Sequence, residues 1–375
     1  YDRDKSVYKW CKHNAVEWCQ KRYHGVIRGL KDRDNRLEKF NAFMDTDPVS
    51  IPTNIDTPAD VFSRWPHEID TALQHKPDMQ MTTREAGADI LAGFLNQRGL
   101  NYMGNISSMN TATKFASRLS VHLAWGTLSV REVFSTLRER KRKLEKNSHP
   151  QAGRWKRSLS AFESRLYWHS HFIQKLEDEP EMEFAPQNKA FEKIQWENDP
   201  QKLSAWKHGK TGVPMIDAAL RCFIQTGYLN FRSRAMIASF ASHALHISWQ
   251  KILYPMAKMM ADYVPGIHVP QLQMQAGVTG INTIRAYNPN KQMQDHDPQA
   301  RFVKKWVPSL QESSPEAIYQ HGTGETIIPE YTPPIVDEKE RRKDMVGRLY
   351  EIKKSKEAKQ YADEVYQKHG SRKNR

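Results

Sequence analysis

Residues 206–240 read WKHGKTGVPMIDAALRCFIQTGYLNFRSRAMIASF, and two features in them compete for an explanation. Gly209-Lys210-Thr211 has the look of a phosphate loop, which needs a glycine five positions before the Gly-Lys pair and an apolar strand ahead of it. Ser204 stands at that position, and the preceding residues DPQKLSAWKH are polar, so the phosphate-loop reading fails. The second feature is a helical pattern. Pro214 suits a first helical position, Ile216, Ala219, Leu220 and Phe223 make one apolar face, and Gly227 suits a C-terminal cap. A second helix is predicted through RSRAMIASFASHALHISWQKI, with Pro255 interrupting the chain beyond it. That helix is apolar and small-residue rich, yet it carries Arg232 and Arg234. A buried arginine is costly unless paired, so an acid is expected close in space, and Asp262 in KMMADYVPGIH is the best placed. A buried pair of this kind beside a cofactor ring can stabilise negative charge on that ring, but from spacing alone an interhelical salt bridge without a ligand is the favoured explanation.

The rest of the 375 residues points the same way. Apolar residues recur at helical spacing from TREAGADILAGFLNQRG onward, as in Ile90, Leu91, Phe94 and Leu95. Gly126 breaks a short helix from a basic one, and RWKRSLSAFESRLYWHSHFIQKLEDEP is a helix closed by Pro180. The expected fold class is mainly α, with a helix and a strand, NAVEWCQ, at the N-terminus. Residues 31–85 read as an irregular connector, and 337–375 as a charged helix ending in a basic tail.

Lys and Arg outnumber Asp and Glu by 57 to 43, a formal charge of +14, which favours a polyanionic partner through counterion release. Cys11, Cys19 and Cys222 suit a reducing compartment and are too few for a cysteine-only metal or iron–sulfur site. His169 and His171, His243 and His246, and Asp295-His296-Asp297 complete no ligand set, so no metal is expected. No apolar run approaches a membrane span, and a soluble, cytoplasmic protein is the expectation.

QWENDPQKLSAWKHGKTGVPMIDAALR followed by TGYLNFRSRAMIASF resembles the flavin-binding core of the photolyase and cryptochrome family. ASRLSVHLAWGTLSVREV resembles the family's phosphate-contacting segment, LYWHSHF its Trp-Arg-Glu-Phe helix, and IRAYNPNKQMQDHDPQARFVKKWVP its closing region. These matches run in order over roughly residues 86–310. The resemblance implies an all-helical domain over 86–336 that holds FAD. It also implies that residues 1–30 correspond to the last helix and strand of an α/β antenna domain, so no antenna pigment is expected in this chain.

Carried over position by position, the resemblance assigns Tyr102, Ser117, Leu119 and Ser120 to the FAD diphosphate and ribityl chain. It assigns Arg234 and Asp262 to the flavin ring. His268 falls where the family faces flavin N5, and a histidine there can exchange a proton near neutrality; a histidine that only bonds a backbone group is the plainer alternative. Trp249 and Trp196 match the middle and outer members of a photoreduction chain whose flavin-proximal member falls at Leu272. A tyrosine or another tryptophan is the natural substitute, and the sequence does not say which.

Trp168 matches the tryptophan on which a flipped lesion stacks. The carboxylate that bonds damaged bases is replaced by Arg165, the arginine after the tryptophan by His169, a second stacking tryptophan by Met274, and an asparagine by Phe231. The implied activity is therefore twofold in reading. The first is blue-light-driven electron transfer from reduced flavin to DNA pyrimidine photoproducts. The second is a light- or redox-sensing flavoprotein with a protein signalling partner. Arg138, Arg140, Lys141, Arg142, Lys143, Arg154, Lys156 and Arg157 form a basic region that either grips DNA or is simply solvated.

Overall fold

The computed structural model describes residues 2–46, 53–54, 78–146 and 149–370. Among these it contains helices and no strand. The helices are α1 (Asp2–His13), α2 (Arg36–Met44), α3 (Arg84–Asn96), α4 (Tyr102–Asn105), α5 (Met109–Phe115), α6 (Ser120–Trp125), α7 (Val130–Lys146) and α8 (Ala152–Asp178) in the first half. The second half holds α9 (Pro200–Lys207), α10 (Pro214–Thr226), α11 (Phe231–His243), α12 (Trp249–Lys258), α13 (Pro265–Ala276), α14 (Pro289–His296), α15 (Arg301–Trp306), α16 (Pro315–Thr323), α17 (Glu338–Lys354) and α18 (Lys356–His369).

Two apolar cores organise them. The smaller packs α2, α3, α7 and the first half of α8, through Phe40, Phe94, Phe134, Leu159 and Phe162. The larger is built on α10, α11 and α13 and reaches Met345 and Leu349 of the charged C-terminal helix α17. Helix α8 joins the two. At 27 residues it is roughly 40 Å long, and its second half packs on α13.

The Gly-Lys-Thr puzzle resolves as a staple. Thr211 and Gly212 give their amides to the buried Asp217 carboxylate at 2.8 and 3.0 Å, Thr211 Oγ1 donates to it at 2.7 Å, and the Tyr331 hydroxyl donates to one of its oxygens. The amides that a phosphate would need are thus taken, one turn inside α10. Gly212 is held at φ +75° against the Pro333 carbonyl, where a Cβ would come within 2.1 Å of the oxygen.

Four expectations change. The strand over residues 14–20 does not form: α1 is followed by irregular chain, and no strand among the described residues offers it a ladder. Part of the connector, α2, is helical, because Phe40 and Met44 fall one turn apart and bury in the smaller core; much of the remainder of 31–85 lies outside the described residues. The long helix predicted after Arg232 is two helices. His246 takes φ +55°, its carbonyl accepts the Glu197 amide at 2.9 Å, and the Asn198 side chain accepts the Ser248 amide at 2.8 Å, which ends α11 and starts α12. Pro255, finally, lies inside α12 rather than interrupting it, at the cost of one backbone hydrogen bond.

Candidate cofactor site

The loop carrying Asp262 is brought to α11 by a close backbone approach. Gly227 ends α10 at φ +68°, its carbonyl accepts the Ala261 amide at 2.9 Å, and a Cβ on it would meet the Ala261 Cβ at 2.8 Å. Only glycine permits both the left-handed turn and this contact. The result is a two-pronged ion pair: Arg234 Nη1 and Nη2 donate to the two Asp262 oxygens, each at 2.9 Å, while Nε donates to the Leu229 carbonyl at 2.6 Å. The Asp262 side chain is 6% exposed. Burial pushes its pKa up, but the Arg234 charge and hydrogen bonds from Arg234 and Ser120 outweigh burial and hold it below the usual carboxylate range.

Around this pair the chain gathers more cations than acids. The Arg118 guanidinium lies 3.6 Å from the centre of the Tyr228 ring, whose other neighbour at 5.8 Å is Arg234. Arg118 sits at φ +61° and exchanges hydrogen bonds with Gln80 at 2.8 and 2.9 Å. Arg98 donates to the carbonyls of Ile90, Ala116 and Ser117, fixing the segment that leads into α6. Tyr102 is buried, which raises its pKa, and its hydroxyl is hydrogen-bonded by Arg165. Arg98, Arg118 and Arg165 pair with no carboxylate among the described residues, and neither does Arg232, whose Nε is buried without a partner.

The structure therefore brings Tyr102, Ser117, Ser120, Arg234 and Asp262 to one place. Ser120 is engaged with Asp262 itself. The Leu119 side chain is 1% exposed and belongs to the smaller core, and its amide points back to Ser117 Oγ at 3.5 Å. Sequence reasoning missed Arg98, Arg118 and Tyr228. Arg118 lay within the quoted ASRLSV stretch, and Tyr228 stood beside the Gly227 cap, so both were visible but carried no pattern of their own.

His268 is buried on α13. Its Nε2 donates to the Leu253 carbonyl at 2.9 Å, so Nδ1 is the acceptor nitrogen, and burial lowers its pKa to about 4. At neutral pH it is therefore uncharged and accepts a hydrogen bond rather than a proton, so the expected proton exchange near neutrality does not hold, and the backbone-bonded histidine is what the structure shows. Trp168 is half-buried on α8, one turn beyond Arg165, with His171 edge-on at 5.0 Å. Trp249 is 1% exposed, and with Trp196 it lines a cavity of about 190 Å³. Leu272 is buried. Phe231 is 57% exposed at the start of α11.

The basic region is largely committed within the protein: Arg138 to Asp45, Lys141 to Glu163, Lys143 to Glu139, Arg140 to the Leu95 carbonyl and Arg154 to Asn101. No group of three or more metal-ligating side chains occurs among the described residues.

The family model for the FAD binding domain of DNA photolyase matches residues 162–351. The chain belongs to this family. The deoxyribodipyrimidine photo-lyase of Halobacterium salinarum is 30% identical over 242 residues, covering 62% of this chain and 48% of the relative. The chain thus spans about half the length of the curated relatives it matches. Among solved structures, an archaeal photolyase from Sulfolobus tokodaii with two FAD molecules aligns at TM-score 0.70 and 26% identity over 93% of this chain and 75% of that one. A class III photolyase from Agrobacterium tumefaciens aligns at TM-score 0.73 over 94% and 77%, and at 21% identity it speaks for the fold alone.

FAD is the cofactor of this family's domain, and the residues present fit it. A diphosphate needs cations without carboxylate partners, and Arg98 and Arg118, which have none among the described residues, are of that kind. A flavin ring needs a fixed dipole or ion pair at its polar edge, and the Arg234–Asp262 pair is a group of that kind. Among the described residues no helix is long and apolar enough to cross a membrane.

Proposed function

We propose that this chain binds FAD between α6, α11 and α13 and uses it for light-driven electron transfer to pyrimidine photoproducts in DNA. The observation that carries the reading is the cluster of Arg98, Arg118 and Arg234 around Tyr228, with Arg165 on the neighbouring Tyr102 and Asp262 as the carboxylate bonded among them. Such an excess of positive charge, partly buried, calls for an anionic ligand. Reduced FAD, once bound, supplies the electron that light promotes. Arg234 and Asp262 would orient the ring and balance negative charge on it, and the neutral His268 would offer Nδ1 as a hydrogen-bond acceptor. Tyr102, Ser117 and Ser120 line the ribityl and phosphate side, Leu119 contributing through backbone. Trp168 offers the face on which an extruded lesion stacks.

One set of residues favours the second reading, a light- or redox-sensing flavoprotein acting through a protein partner. Arg165 replaces the carboxylate expected to bond damaged bases and is occupied with Tyr102. Phe231 exposes a ring where an amide is expected. The deciding experiment has two stages. The visible absorption of the purified protein, with FAD added, should show a bound flavin; its absence ends the FAD reading. The reduced protein should then remove pyrimidine dimers from ultraviolet-treated DNA under blue light, against a dark control. Bound flavin without dimer loss would reject repair and leave the sensing role.

A further inference from the structure

The cavity of about 190 Å³ beside Trp249 shares no side chain with the arginine cluster, and its walls have a different chemistry. Four aromatic rings line it: Phe184, Phe191, Trp196 and Trp249. Among the described residues, none of the four packs on another ring, so their surfaces are left to the cavity. None carries a lysine or arginine either, although this basic chain seats cations on rings elsewhere, as Arg118 on Tyr228, Arg140 on Trp155 and Lys305 on Trp306. The polar side chains on the lining are Glu192 and Gln250, both exposed. Glu192 has no ion pair among the described residues, and the adjacent Lys193 is committed to Glu357.

The walls are fixed from behind. The Gln273 side chain on α13 accepts the Gln187 amide at 2.7 Å and donates to the carbonyls of Met182 and Ala185 at 2.6 and 2.9 Å. Asn188 caps the short 3₁₀ helix Lys189–Lys193, which carries Phe191 and Glu192, by accepting the Ala190 amide at 3.2 Å. Trp196 is held near the start of α12 because the next amide, that of Glu197, bonds the His246 carbonyl at 2.9 Å. A ligand entering here therefore orders little chain, which lowers the cost of binding.

We propose that this cavity binds a small quaternary ammonium solute, its trimethylammonium group against the rings and its charge balanced by Glu192. The proposal does not depend on the flavin reading. Ring faces attract cations, and these four are not claimed by the chain's own. A primary ammonium would bring three N–H donors that need acceptors. The lining offers two polar side chains, both exposed, so donors turned toward the rings would go unsatisfied. A trimethylammonium group has no N–H and buries methyl surface instead. An anion would meet Glu192 and no cation on the lining. Pockets for drug-sized ligands measure about 300–1,000 Å³, so this one suits a head group and little more.

The test titrates choline chloride into the purified chain and reads saturation transfer to the choline methyl protons by nuclear magnetic resonance. Choline should bind with a Kd below about 10 mM, and a neutral analogue with tert-butyl in place of trimethylammonium should bind at least about fivefold more weakly. Phe184→Ala and Glu192→Gln alter exposed side chains, and circular dichroism should show the fold retained. They should weaken choline about fivefold and about threefold, and added salt should reduce the second difference by screening. Equal binding of the neutral analogue would show a merely apolar cavity and overturn the proposal. So would choline binding that is unchanged in the Phe184→Ala, Glu192→Gln double variant, since the site would then lie elsewhere. No transfer at about 10 mM choline would leave no site at all. Sedimentation with phosphatidylcholine vesicles while free choline fails to bind would assign the rings to a lipid surface and reject the solute.

Discussion

Replacing Asp262 with Asn keeps the shape of the side chain and removes its charge, leaving Arg234 with nothing to balance it. Both partners are largely out of water, with side chains 6% and 19% exposed. Removing one member of a buried ion pair typically costs about 3–5 kcal/mol. The partial exposure of Arg234 places the expectation near the lower end, at about 3 kcal/mol, since the guanidinium retains some hydration and its bond to Leu229. The assay is urea unfolding of the flavin-free protein, wild type against Asp262→Asn, with the slope checked for constancy. The pH dependence adds a second constraint. The folded pKa of Asp262 is depressed, so its contribution is complete above the unfolded value, about 3.9, and fades as pH falls through the folded value. Wild type and variant should therefore differ most near neutrality and converge in acid. A loss under about 1 kcal/mol at pH 7, or a gap that persists unchanged below about pH 3, would show that the pair does not hold the loop in place.

Three further outcomes are expected. His169, His243 and His268 are each lowered to about 4 by burial from the ordinary 6.5; their neutral forms are the folded ones, so stability is complete above pH 6.5 and falls toward pH 4. The slope is at most about 1.4 kcal/mol per pH unit for each histidine, and a flat unfolding free energy across that window would contradict their burial. Gly212→Ala forces a Cβ to 2.1 Å from the Pro333 oxygen at a left-handed backbone and should cost at least about 2 kcal/mol in urea unfolding; an unchanged midpoint would mean that the Asp217 staple yields easily. Tyr228→Leu removes the ring under Arg118 and should weaken FAD binding about tenfold, read by flavin fluorescence titration, whereas equal affinity would detach Tyr228 from the site.

The helices were legible because their signals are local. Pro214 and Gly227 bracket α10 as their backbone preferences require, and the apolar face between them fixes which side is buried. The Arg234–Asp262 pair was legible for a different reason: burial of a cation in an apolar helix demands an acid, and Asp262 was the nearest suitable one. Arg232 shows where that logic stops, since it is partly buried with no acid beside it among the described residues. The break between α11 and α12 was not legible. It depends on Glu197 and Asn198, some fifty residues earlier, bonding the backbone at His246 and Ser248. Likewise nothing local marks 14–20 as irregular, because a strand requires a partner strand and its absence is a tertiary fact.

The same distinction explains why the opening motif misleads. A phosphate loop and the Gly209–Gly212 turn both use glycine to present amides at a helix start, and the difference lies in what receives them. Here a carboxylate three residues inside the helix accepts the amides and the Thr211 hydroxyl, and Tyr331 closes its remaining side. A buried acid in that position repels any phosphate, so the anion-seeking chemistry must lie elsewhere. It lies where arginines lack carboxylates, at Arg98 and Arg118. In both places the decisive quantity is the local balance of buried charge, negative under the turn and positive around Tyr228. That balance depends on which residues meet, not on the motif that contains them.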